Sequence, residues 1–160
     1  MKKIVFDDPY KRKNIYEDDE SDELYDIENQ YSYIKMIYEN VDFSYNKVIQ
    51  KEIKKKFYSY KSQDKLKSKF DAEEHITYPQ LLKKLHDSKL KCYYCSEKLR
   101  LVYTKKNETK QWSLERLDNN IGHYDSNTCI SCYQCNVMRR TDNHEYFKMG
   151  KQMTIKKVNT

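Results

Sequence analysis

No stretch of the 160-residue chain is apolar for long enough to cross a bilayer as a helix. The opening run Met1-Lys2-Lys3-Ile4-Val5-Phe6-Asp7 is too short for a secretory leader. Hydrophobic residues make up only 38% of the chain against 35% charged, so any core is modest, and a metal clamp would be a useful supplement to it. Cysteine is sparse and odd in number, five in all, and four of these fall in Cys-x-x-Cys pairs. That pattern excludes a closed set of disulfides and argues for metal ligation in a reducing compartment. An intracellular rather than a secreted protein is expected. Arginine is scarce as well: five, leaving 26 lysines, in a chain also rich in Tyr, Ile and Asn. An AT-rich coding sequence produces that bias, so the tyrosines say little about base stacking. In a lysine-biased chain an Arg marks a place where a planar guanidinium is wanted. Three of the five, Arg116, Arg139 and Arg140, fall in one stretch.

The net charge of +6 conceals an asymmetry. Residues 1–30 hold five Lys/Arg against ten Asp/Glu, so this segment is at −5 and the remainder at +11, the footprint of a polyanion binder with an acidic tail. Three regions are expected: an acidic, mobile arm over 1–30, a helical region over 31–74, and a compact module over 75–160. In the helical region Tyr31, Ile34, Ile37, Tyr38 and Val41 recur at helical spacing. A second helix, capped by Asp42 or Ser44, would bury Val48, Ile49, Ile53, Phe57 and Tyr60 and turn a lysine-rich side outward. That side is either a plain solvated face or a contact for a nucleic-acid backbone. Leu66 and Phe70 would close the region. Thr77-Tyr78-Pro79-Gln80 starts a third helix, with Thr77 as its cap and Leu81, Leu82 and Leu85 on its buried side.

Cys92-Tyr93-Tyr94-Cys95 and Cys132-Tyr133-Gln134-Cys135 form two knuckles, each aiming two thiolates at one point, and together they complete a tetrahedron for zinc. The 36 intervening residues leave room for a hairpin. Cys129 is left over, either as a small buried hydrophobe or as a competing ligand. Between the knuckles, Trp112 to Arg116 alternates as a strand, Asp118-Asn119-Asn120-Ile121-Gly122 offers a turn whose Asn and Gly tolerate positive φ, and Thr128 to Ile130 reads as a second strand. Cys132, Cys135 and Asn136 then open a helix carrying Met138, Arg139 and Arg140.

The stretch WSLERLDNNIGHYDSNTCISCYQCNVMRR, with the upstream knuckle, resembles the HNH endonucleases of the ββα-metal (His-Me finger) group, in the variant with a four-cysteine zinc site; the resemblance covers roughly residues 75–148. It implies an α+β fold in which a helical N-terminal region precedes a zinc-clamped ββα-metal nuclease module. It also implies metal-dependent cleavage of DNA, with RNA as an open alternative, and no membrane partner. By the same resemblance Glu115 and Asn136 would hold one catalytic Mg²⁺ or Mn²⁺ and Asn127 would brace the loop. The family usually carries its general base as a His directly after the metal carboxylate, and this chain has Arg116 there. Phage-type sequences resembling SLDRIDN-x-x-G share that replacement, which extends the expected location to a phage or viral protein inside its host. The base is then His123, or the cation acts alone with Asp118 or bulk water accepting the proton. His123 is otherwise an exposed turn residue. Arg139 and Arg140 on the helix, with Lys98, Arg100, Lys105 and Lys106 upstream, would meet phosphates. The alternative function is a non-catalytic zinc module that binds nucleic acid or stabilises a larger assembly.

Overall fold

A computed structural model describes residues 22–158. Among the described residues the chain is α+β: six α-helices and one two-stranded antiparallel sheet, in the order α1 (Asp22–Tyr25), α2 (Ile27–Tyr38), α3 (Asn46–Leu66), α4 (Tyr78–Asp87), β1 (Trp112–Arg116), β2 (Thr128–Cys132), α5 (Tyr133–Arg139) and α6 (His144–Gln152). Among the described residues no helix is long and apolar enough to cross a membrane.

The acidic arm expected over residues 1–30 is contradicted at 22–30. Residues 1–21 lie outside the described residues, but 22–30 belong to the packed body. Asp26 caps α2 by accepting from the Glu28 N–H at 3.0 Å, and Leu24 is 1% exposed. Gln30 is fully buried. Its Oε1 accepts from the backbone N–H groups of Leu101 (2.5 Å) and Val102 (3.1 Å), while Nε2 donates to the Val102 carbonyl at 3.1 Å. One amide thereby satisfies three backbone groups of an irregular segment that has no ladder of its own.

Helix α3 runs for 21 residues and buries Ile49, Ile53 and Phe57 along one stripe. Its N-cap position is Tyr45, whose side chain makes no capping hydrogen bond; neither Asp42 nor Ser44 fills that role, and Asp42 accepts from the neighbouring Phe43 N–H instead. Leu66 is 87% exposed and closes nothing, whereas Phe70 lies 5.2 Å from the His75 ring. The buried stripe ends on a charge: Asp64, four residues beyond Tyr60, is fully buried. In α4, Thr77 and Gln80 form the reciprocal capping box, Pro79 sits in the first turn, and Leu81 and Leu85 are fully buried. Residues of the helical half and of the hairpin share one core, from Leu24 and Ile53 through Leu85 to Trp112 and Ile130.

The hairpin registers Trp112 against Cys132 and Glu115 against Cys129. β1 is buried on both faces rather than one, because α5 lies across the face that carries Ser113 and Glu115. Ser113 Oγ meets Ser131 Oγ at 3.0 Å, and Asn136 Nδ2 donates to Ser113 Oγ at 3.2 Å. The turn uses no positive φ at Asn119, Asn120 or Gly122. Gly122 is required for space instead: a Cβ there would collide with the Lys69 backbone carbonyl and come within 2.8 Å of Asp64 Oδ2.

Candidate metal centre and the adjoining cleft

The Sγ atoms of Cys92, Cys95, Cys132 and Cys135 all lie within 4.8 Å of one another, with Cys95 Sγ and Cys132 Sγ 4.0 Å apart. Tetrahedral Zn–S bonds of about 2.3 Å place thiolates about 3.8 Å apart, so the cluster could hold a metal such as zinc. Backbone amides already point at the sulfurs: the Cys132 N–H donates to Cys92 Sγ at 3.2 Å, and the Cys135 N–H to Cys132 Sγ at 3.3 Å. The first knuckle is pinned to the hairpin by the Tyr93 N–H, which donates to the Ile130 carbonyl at 2.8 Å. Burial pushes the Cys135 thiol up to about 12, and Cys92 and Cys95 are raised as well. Without a cation these groups therefore stay protonated at neutral pH. Cys129 is outside the cluster, half-buried opposite Glu115 in the ladder.

On the other side of α5 a cleft of about 450 Å³ opens between β1, the hairpin loop and the end of α3. Glu115, Arg116, His123 and Asn136 all line it, joined by Tyr60 and Gln63 of α3. Lys67, Lys69 and Arg140 add positive charge, balanced by no carboxylate among the lining groups except Glu115. Glu115 Oε1 accepts from Arg139 Nη2 at 2.9 Å, and Glu115 Oε2 is buried with no partner. Burial raises the Glu115 pKa, against the pull of Arg139. Asn136 spends its Nδ2 on Ser113, which leaves the side-chain oxygen free. Glu115 and Asn136 line the same cleft, and carboxylate and amide oxygens are the hard ligands that Mg²⁺ or Mn²⁺ prefers.

His123 is not an exposed turn residue; it is 3% exposed. Its ring is held by Asp64, with Nδ1 2.7 Å from Oδ1, and its backbone N–H donates to Oδ2 at 2.6 Å. The Tyr60 ring lies 4.8 Å away. Burial pushes the imidazole down to about 4 despite the neighbouring carboxylate, so it is neutral at physiological pH. Asn127 ties the loop together: its Oδ1 accepts from the Asp118 N–H at 2.9 Å and its Nδ2 donates to the carbonyls of Asp118 (2.9 Å) and Gly122 (3.1 Å). Arg116 reaches the carbonyls of Asn119 and Ile121, both at 3.3 Å.

Three of the basic residues expected to face phosphates are otherwise engaged. Arg139 is 1% exposed and donates, besides Glu115, to Asn119 Oδ1 (3.1 Å) and to the carbonyls of Arg116 (2.6 Å), Leu117 (3.4 Å) and Asp142 (2.6 Å). A guanidinium with so many acceptors around it is an internal brace, out of reach of a polyanion. Arg100 donates to the Tyr25 carbonyl at 2.6 Å and ties α1 to the knuckle segment, while Lys98 pairs with Glu28 at 2.5 Å. Lys105, Lys106 and Arg140 are exposed. Asp64, Tyr60 and Gln63 were not expected at the site. Asp64 had a signal: a carboxylate falling on the apolar stripe of a helix, four and seven residues after Tyr60 and Phe57. The chain matches no protein-family model, no curated protein and no solved structure.

Proposed function

We propose that the chain is a metal-dependent endonuclease that cleaves DNA phosphodiester bonds in this cleft, built on a ββα-metal module whose four cysteines hold structural zinc. One observation carries the reading. Glu115 from β1, His123 from the loop and Asn136 from α5, the three groups singled out by the resemblance and by the search for a base, open onto a single basic cleft. A Mg²⁺ or Mn²⁺ held by Glu115 Oε2 and the Asn136 oxygen would supply charge neutralisation at the scissile phosphate and its leaving oxygen. The chain's own groups do the rest. Arg116, whose guanidinium offers only donors, holds a phosphate oxygen. His123, neutral and with Nδ1 occupied, accepts the proton of the attacking water at Nε2.

The test is nicking of supercoiled plasmid with Mg²⁺ or Mn²⁺ by the wild type, Glu115→Gln and His123→Ala. Gln at 115 keeps an acceptor for Arg139 while removing the charge. His123→Ala should slow cleavage by ~10²-fold or more with affinity nearly unchanged. If His123→Ala cuts at the wild-type rate, the proton goes to Asp118 or bulk water. If the wild type cuts neither DNA nor RNA, the reading fails. The ion pair between Glu115 Oε1 and Arg139 favours a second reading, in which the carboxylate is structural and the chain is a zinc module that binds nucleic acid without cutting it.

A further inference from the structure

We propose that Asp64 is a positioning residue that decides which nitrogen of His123 carries the proton, so that α3 forms part of the reaction centre rather than an appended helix. The proposal rests on the reading of His123 as the base. Asp64 and His123 are separated by 59 residues, yet both carboxylate oxygens are spent on this one residue, Oδ2 on its backbone N–H and Oδ1 on its ring. A carboxylate offers only acceptors, so the 2.7 Å approach to Nδ1 requires an N–H there. The neutral imidazole then has its lone pair on Nε2, the nitrogen left for the cleft. The other neighbours do not compete. His75 Nε2 stands 3.7 Å from Oδ2, beyond hydrogen-bond distance, and its Nδ1 is committed to the Ile76 carbonyl at 2.8 Å. The Tyr60 hydroxyl oxygen accepts from the Leu114 N–H at 3.0 Å, and Tyr60 meets His123 through its ring. The bare Gly122 Cα is what lets the loop come this close to the end of α3.

Asparagine at 64 would keep the shape and change the chemistry. With its oxygen on the His123 backbone N–H, its NH₂ faces Nδ1 and can only donate, so the ring must move its proton to Nε2 and loses its basic atom in the cleft. Long-range ¹H–¹⁵N spectra of the full chain at pH 7 read this directly. The wild type should show Nδ1 protonated and Nε2 bare, and Asp64→Asn the reverse. A wild-type ring that is charged or protonated on Nε2, or a folded Asp64→Asn with an unchanged ring, overturns the proposal. The wild-type spectrum decides even if the variant does not fold. In the plasmid assay with Mn²⁺, Asp64→Asn should lower kcat by ~10²- to 10⁴-fold with KM nearly constant, as loss of a tautomer-setting carboxylate does elsewhere. A kcat equal to wild type overturns the proposal too. A wild type that cuts no nucleic acid defeats the nuclease reading alone, because the spectra contain no substrate.

Discussion

Replacing Arg139 by methionine removes a guanidinium and leaves its acceptors behind. The side chains of Arg139 and Glu115 are 2% and 4% exposed, so the pair is screened by almost no water. Loss of one partner of such a pair costs ~3–5 kcal/mol, because the other charge is stranded in a low-dielectric site. An exposed arginine waiting for a phosphate would cost under ~1 kcal/mol. Domains of this size are stable by ~5–15 kcal/mol, so Arg139→Met should take away a large share of the total. The double variant Glu115→Leu/Arg139→Met should recover most of the loss, since it strands nothing. Urea melts at pH 7.5 with zinc present, at matched slope, measure all three against wild type. If Arg139→Met melts within ~1 kcal/mol of wild type while its DNA affinity falls several-fold, the internal-brace assignment is wrong and Arg139 is a phosphate contact after all.

Cys135→Ser should unfold the C-terminal half, since a structural zinc site is worth on the order of 10 kcal/mol to a small domain. Metal analysis of fresh protein should find one zinc per chain, and none would refute the clamp. Gly122→Ala should cost ~1–3 kcal/mol through the collision with the Lys69 carbonyl, which cannot step aside as a flexible side chain would. A melt within ~0.5 kcal/mol of wild type would show that the loop has room. The depressed His123 pKa makes an acid-side prediction. Above pH 6.5 the ring is neutral in both folded and unfolded chains and contributes no slope. As pH falls from 6.5 towards 4, the unfolded chain takes up a proton that the folded one refuses, so about 3 kcal/mol of stability is lost across that window. Substituting His123 by asparagine should flatten the urea-midpoint profile there by about one proton. An unchanged profile would place the ring in water.

The parts of the fold that were legible in the sequence are those whose signals are local. The two knuckles announce themselves by spacing, the α4 cap by Thr77 and Gln80, and the hairpin by alternation from Trp112 to Arg116 followed by a polar turn. What stayed hidden depends on partners far along the chain. Gln30 looks like part of an acidic tail until the backbone of Leu101 and Val102, about 70 residues away, needs its amide. Arg139 looks like a phosphate-binding arginine because its sequence neighbour Arg140 is exposed and because Glu115 is 24 residues distant. The turn was expected to use glycine for conformational freedom, and it uses glycine for clearance, a demand set by α3 and invisible in the turn itself.

The latch between Asp64 and His123 bears on how descendants of such a chain would decay. A single base change in the codon for position 64 leaves Glu115, Arg116, Asn127, Asn136 and all four clamp cysteines unchanged, yet unlatches the imidazole. A survey that judged such chains competent by their motif residues would count that lineage as intact. Conversely, a lineage that lost the cleft's purpose but kept the body would feel no pressure on the ring and strong pressure on Gly122 and Asp64 only if their contact also holds the loop against α3. How far the two positions drift together, and whether His123 drifts with them, would record whether selection had acted on chemistry or on architecture.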